Sequence, residues 1–219
     1  MQHNPMNEVT HMKFEWRKQD KALYLPPAEP GLIQVPAFPY FTLQGEGNPN
    51  GSAFAEAVAV LYSLSYAVKM LPKKGPAPEG YYDYTVFPLE GVWDLSEAGR
   101  RLAVLDKNEL VYTLMIRQPD FMTPALAAVV LEQVKRSKPH PLLDKAVFAR
   151  CEDGLSVQMT HIGSYDDEPH SFTRMEQFCA AQGLLRESLL HREIYISDAR
   201  RASPEKLRTV LRFKAARQD

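Results

Sequence analysis

The strongest constraint on this chain is that its second half repeats its first. Gly45 stands nine residues before Phe54, and Gly163 stands nine residues before Phe172. Phe41-Thr42 leads into the first glycine as Met159-Thr160 leads into the second, and Leu110-x-x-x-Leu114 is matched later by Leu207-x-x-x-Leu211. Three matches in the same order point to an internal duplication, and a fold built from it must place two similar units around an approximate twofold axis.

Hydrophobic periodicity gives each unit the order β-α-β-β. In the first, residues 32–44 are β-prone and end in the turn residues Gly45 to Gly51. Residues 52–71 carry Phe54, Ala57, Val58, Leu61, Leu64 and Val68 at helical spacing, and strands are expected over 81–89, running on into Glu90 to Trp93, and over 110–117. Thr123-Pro124 reads as a helix N-cap followed by proline at the first helical position, opening a connecting helix to about Ser137. The second unit has strands over 155–162, 191–198 and from 207 to 213, with a helix over 172–182 that Gly183 closes. The proline-rich segment 24–30 is expected to run across the surface and not to join the sheet.

The expected fold class is therefore α+β: two pseudo-symmetric β-α-β-β repeats forming an antiparallel sheet, with both helices on one face and a ligand cleft on the other. Residues 1–11 are expected as a disordered extension. Residues 12–219 are expected as one domain, with repeat one over 32–117, the connecting helix over 123–137 and repeat two over 147–215.

Composition narrows the partners. With 26 basic against 27 acidic residues the formal net charge is -1, which gives no overall attraction to nucleic acid or to an anionic membrane. No apolar run approaches the roughly 20 residues of a membrane span, and the polar first residues lack a signal-peptide core, so a cytoplasmic protein with a small-molecule partner is expected, with no direct nucleic-acid or membrane binding. Two cysteines, Cys151 and Cys179, and six scattered histidines form no metal-binding spacing, so neither metal nor cofactor is expected. The sequence leaves the oligomeric state open.

Within the stretch His191 to Asp198, alternation places Glu193 and Tyr195 on one strand face, where they either meet water or line a pocket. Trp93 has a core reading beside a ligand-stacking one, and Tyr40, Tyr112 and Tyr165 divide evenly between half-buried packing and ligand binding. His161 reads as a satisfied core histidine, not a haem or metal ligand, and Asp166-Asp167-Glu168 reads as negative charge at a helix N-terminus.

Four segments carry a family resemblance: Met12 to Lys18, Pro88-Leu89-Glu90-Gly91-Val92-Trp93, the turn Gly163 to Glu168, and Arg192 to Asp198. Together they resemble the GyrI-like small-molecule-binding domains, nearly along the whole chain from Lys13. They are most similar to the stand-alone branch, some members of which hydrolyse cyclopropane-bearing DNA-alkylating antibiotics of the yatakemycin and duocarmycin type. The chain departs from that branch at Asp94, which follows Trp93 where an aromatic pair stands. The resemblance implies a cleft with Glu193 beneath the ligand and Tyr195 beside it, and it makes Glu90 and Trp93 candidates for substrate handling. Glu193, Glu90 and Tyr195 are thus the catalytic candidates, and Trp93, Tyr40, Tyr112 and Tyr165 the ligand-binding ones. Two activities stay open: opening of a strained cyclopropane by water, or binding without chemistry, as a multidrug or effector-binding module or as a partner of DNA gyrase.

Overall fold

A computed structural model describes residues 13–198 and 201–217; the extension expected over residues 1–11 lies outside them. Two short helices, α1 (Trp16–Gln19) and α2 (Lys21–Tyr24), precede strands β1 (Gly31–Val35) and β2 (Phe38–Glu46). Helix α3 (Ser52–Lys69) and the short α4 (Leu71–Lys74) follow, then β3 (Leu89–Leu95), β4 (Leu110–Arg117) and α5 (Pro124–Ser137). The second half contributes β5 (Val147–Cys151), β6 (Gly154–Ile162), α6 (Glu168–Ala181), β7 (Leu184–Arg186), β8 (His191–Tyr195) and β9 (Arg208–Arg217).

The strands form one antiparallel sheet in the order β1-β6-β9-β8-β3-β4-β2-β5, with β7 added to the far end of β9. This order is the same from either end once β1 to β4 are matched with β5, β6, β8 and β9. Each repeat lends its first strand to the edge of the other: β1 pairs with β6, and β5 pairs with β2. β3 and β8, which this matching makes equivalent, pair with each other at the middle of the sheet, so the dyad passes between them, close to where Gly91 pairs with Glu193.

Several expected boundaries move for identifiable reasons. The strand expected over 32–44 is two strands, because Pro36 lacks the amide donor a continuous ladder needs, and the halves pair with different neighbours. Residues 81–88 are extended but join no ladder beyond a single bridge from Tyr84 to Phe14; their rings pack on Phe14, Phe87 and Phe121, and the strand starts only after Pro88. Strands β5 and β7 were not foreseen, both being too short to show a clear alternation. Helix α6 begins at Glu168 and not at Phe172, with Pro169 in its first turn. The connecting helix matches its expectation, Thr123 Oγ1 accepting from the Leu126 amide.

Helices α3 and α6 lie on the same face of the sheet. Under α3, Val60, Leu61, Leu64 and Val68 meet Leu43, Leu114 and Ile116, with Val130 and Val134 of α5 behind them; under α6, Met175 and Cys179 meet Val157, Met159, Leu211 and Phe213. Each such fully buried side chain contributes roughly 1.5–3 kcal/mol.

The opposite face is not an open cleft. It is covered by α1, α2 and the proline-rich segment, whose carbonyls accept from the sheet: Ala22 from Gln158 Nε2 (2.7 Å), Leu23 from Arg212 Nη2 (2.9 Å) and Pro26 from Thr160 Oγ1 (2.6 Å). Beneath that cover lies a buried ion cluster. Arg192 bonds Glu90 at 2.8 Å and Asp153 twice at 2.7 Å, and Arg212 reaches Asp153 at 3.3 Å. Removing one member of such a cluster leaves the others charged and unpaired in low dielectric. We expect Arg192→Met to lower the unfolding free energy by about 3–5 kcal/mol in urea titrations; a loss below about 1 kcal/mol would mean that the cluster is dispensable.

Candidate functional site

Alternation along β3 and β8 sends Gly91, Trp93, His191, Glu193 and Tyr195 to the helix side of the sheet, around the dyad. Glu193, 8% exposed, is held from its own strand: Tyr195 Oη donates to its Oε2 at 2.8 Å, and His191 Nε2 lies 3.2 Å from its Oε1. Trp93 Nε1 donates to Tyr195 Oη at 2.9 Å. Trp93 and Tyr195 come from the two equivalent strands, each two residues beyond a member of the Gly91–Glu193 pair, so the bond between them joins the two repeats.

Gly91 makes this arrangement possible. A Cβ there would stand 2.7 Å from Trp93 Nε1 and 3.3 Å from Tyr195 Oη, so any side chain would push the indole off the position from which it reaches the phenol. Gly45 plays the same part for Tyr112, whose ring lies where a Cβ would be.

The helices supply rings and one more carboxyl. Phe54 of α3 stacks on Trp93 (5.9 Å between centroids, 21° between planes) and meets Tyr112 edge-on at 5.3 Å. Phe172 of α6 meets the His191 ring edge-on at 4.7 Å. These are the two phenylalanines that marked the duplication, one on each side of the dyad. Tyr165, 38% exposed at the rim, sets its ring against Tyr195 at 6.1 Å and 85°. Burial and the Glu193 charge push its hydroxyl up to about 12, and the same two causes hold Tyr195 well above the usual phenol range, so Tyr195 remains a donor.

Glu168, in the first turn of α6 and 7% exposed, points back to the sheet beside Glu193. Burial, then the Glu193 charge and the hydrogen bond between the two carboxyls, raise Glu168 far above the usual carboxylate range. At neutral pH it is a carboxylic acid bonded to Glu193, two carboxyls holding one proton because like charges so close cannot both ionise. Among the described residues no lysine or arginine bonds either group, and Glu168 Oε1 is buried without a partner.

Of the residues singled out in the sequence, Glu193, Tyr195, Trp93, Tyr112 and Tyr165 come together here. Glu90 and Tyr40 do not. Glu90 immediately precedes Gly91, so it points to the other face, where it is 1% exposed and bonded to Arg192. Burial raises its carboxyl while Arg192 opposes the shift. Tyr40 lies on that face too, its ring 5.5 Å from the Arg192 guanidinium. Neither can reach a molecule held at Glu193. His161 is a satisfied core histidine as expected, with Nδ1 2.9 Å from Ser171 Oγ and Nε2 2.9 Å from the Ser164 carbonyl. Glu168 is the residue that sequence reasoning missed, as an N-terminal helix charge. A signal existed: Glu168, Ser171, Met175 and Cys179 share helical spacing and are all buried, which puts the glutamate on the helix's inner stripe. Among the described residues no helix is long and apolar enough to cross a membrane, and no group of three or more potential ligands is placed to hold a metal ion.

Residues 28–214 match the family model of the GyrI-like small molecule binding domain. A hydrolase from Listeria innocua has 33% identity over 93% of this chain and 100% of its own, with a TM-score of 0.86. An uncharacterized conserved protein from the same organism has 34% identity over the same shares, with a TM-score of 0.85. The EcmrR C-terminal domain, at 13% identity over 87% of this chain and 98% of its own (TM-score 0.51), shares the fold. No curated protein sequence matches.

The Glu168 proton has a consequence for stability. An acid whose pKa is higher folded (about 10) than unfolded (about 4.3) contributes stability that is fully present below the unfolded value and is lost as pH rises through the folded one. Glu168→Gln keeps a donor to Glu193 without the titration. The unfolding free energy of this variant, from urea titrations, should therefore gain on the wild type steadily from about pH 5 to pH 9, by at most ~1.4 kcal/mol per pH unit. Parallel curves would show that Glu168 ionises normally.

Proposed function

The chain belongs to the family of GyrI-like small molecule binding domains, and from that premise we propose that it takes a planar, largely apolar molecule between α3 and α6, over the Glu193–Glu168 pair, and hydrolyses a strained ring within it. The observation that carries this reading is the pair itself, one neutral acid against one carboxylate among aromatic rings. The likeness to a hydrolase from Listeria innocua supports the reaction class.

The substrate class that fits is the cyclopropane-bearing DNA alkylators, whose three-membered ring is conjugated to a carbonyl. Glu193 takes a proton from water as the water oxygen bonds the ring methylene. The methylene–ring carbon bond breaks, its electron pair moves into the conjugated system, and Glu168 gives its proton to the carbonyl oxygen. The product carries one added water. The proton now on Glu193 returns to Glu168 across the bond the two share, which restores the starting state. General base and general acid each contribute roughly 10²–10⁴-fold, and relief of ring strain supplies the driving force. The role is resistance to such compounds in the cytoplasm.

A second reading is sequestration without turnover. It is favoured by the engagement of both Glu193 oxygens, one by Tyr195 and one by His191, so that water must displace one of them. Incubation with a cyclopropane-bearing alkylator, followed by mass spectrometry, separates the two. Hydrolysis predicts a product heavier by one water, lost at least 100-fold in Glu193→Gln and Glu168→Gln and retained in Glu90→Gln. Unchanged compound together with a raised melting temperature would establish binding alone.

A further inference from the structure

Where α6 meets the outer edge of β6, a second polar cluster lines an open cavity of about 430 Å3 whose wall includes neither Glu193 nor Glu168. Two members of that wall are bonded to each other: Ser171 Oγ is 2.9 Å from His161 Nδ1. His161 Nε2 is in turn 2.9 Å from the Ser164 carbonyl oxygen. A carbonyl can only accept, so Nε2 carries the ring proton, Nδ1 keeps a lone pair, and the Ser171 hydroxyl donates to it. The two bonds that satisfy His161 thus also place it as a base against a hydroxyl, with its tautomer fixed from behind. That is the arrangement that activates a serine nucleophile.

The backbone of β6 supplies a donor to the same cavity. Thr160 N–H turns to the outer edge and donates to the Pro27 carbonyl (2.8 Å), while Gly163 N–H turns the other way, to the Leu207 carbonyl (3.1 Å). Alternation turns the Ile162 amide to the outer edge as well, where it has no partner among the described residues and Ile162 lines the cavity. The guanidinium in the wall, Arg174, is matched by Glu29, which favours an uncharged substrate. We propose that this cavity is a second active site, in which Ser171 and His161 hydrolyse small uncharged carboxylic esters. Ser171 Oγ bonds the acyl carbon as its proton passes to His161 Nδ1, and the Ile162 amide is the donor available to the carbonyl oxygen as it gains charge. The bond from the acyl carbon to the leaving oxygen then breaks, and His161 gives its proton to that oxygen. Water attacks the acyl-serine with His161 again as base, which releases the acid and restores the serine.

The test follows release of p-nitrophenolate from p-nitrophenyl acetate by the full-length protein, and labelling by phenylmethanesulfonyl fluoride, which loses fluoride as a serine oxygen bonds its sulfur. The wild type should turn over the ester, the fluoride should stop it, and peptide mass spectrometry should place the sulfonyl group on Ser171. Ser171→Ala should lose both turnover and label. His161→Gln keeps both hydrogen bonds, its amide oxygen accepting from Ser171 and its amide nitrogen donating to the Ser164 carbonyl, but it cannot take a proton. Turnover in that variant should fall by about 100-fold or more, with circular dichroism confirming its fold. The position of the label in the wild type decides the question even if a variant does not fold. No turnover by the wild type, a label on any other residue, or undiminished turnover in Ser171→Ala would overturn the proposal. None of these outcomes bears on the reading of the Glu193 site.

Discussion

The structure turns on the direct pairing of Gly91 with Glu193 where the two repeats of a duplicated fold meet. The repeats differ there: β3 carries no side chain at its member of the pair, and β8 carries a carboxyl. The space beside Gly91 is filled by the Trp93 indole, which crosses to Tyr195 of the other repeat and through it orients the carboxyl. A site with one acidic centre thus grows from a scaffold with two similar halves.

On the other face of the same two strands, Glu90 and Arg192, each one residue before a member of the Gly91–Glu193 pair, form an ion pair at 2.8 Å. Arg192 further binds Asp153 and passes close to Met115 Sδ, under the cover of α1 and α2. Fixing Arg192 on one face fixes the backbone from which Glu193 projects on the other. The buried ions therefore bear on the site without touching it, and the N-terminal helices cover an ionic core.

The two-repeat plan was legible because Gly45 to Phe54 and Gly163 to Phe172 keep one spacing, and both phenylalanines then appear at equivalent places beside the dyad. The shared face of Glu193 and Tyr195 followed from strand alternation alone. Alternation says which side chains travel together but not which face α3 and α6 cover, so it could not tell that Glu193 and Tyr195 lie on their side of the sheet. The same parity separates Glu90 from Trp93, three residues on, and would have removed Glu90 from the cluster. Glu168 was hidden by a helix start placed four residues late; Pro169, a first-turn residue, marks the true start. Tyr40 gives no signal of its own, because β2 is buried on both faces and its residues from Pro39 to Leu43 show no alternation of exposure.

The central claim is that Glu168 and Glu193 hold one proton between them at neutral pH. It is tested most directly by a pH titration of glutamate side-chain carboxyl carbons by 13C NMR, with Glu168→Gln assigning the resonance. The account predicts one carboxyl that stays at the protonated chemical shift at pH 7, titrates only in the alkaline range and disappears in the variant. Complete ionisation of every glutamate by pH 6 would contradict it.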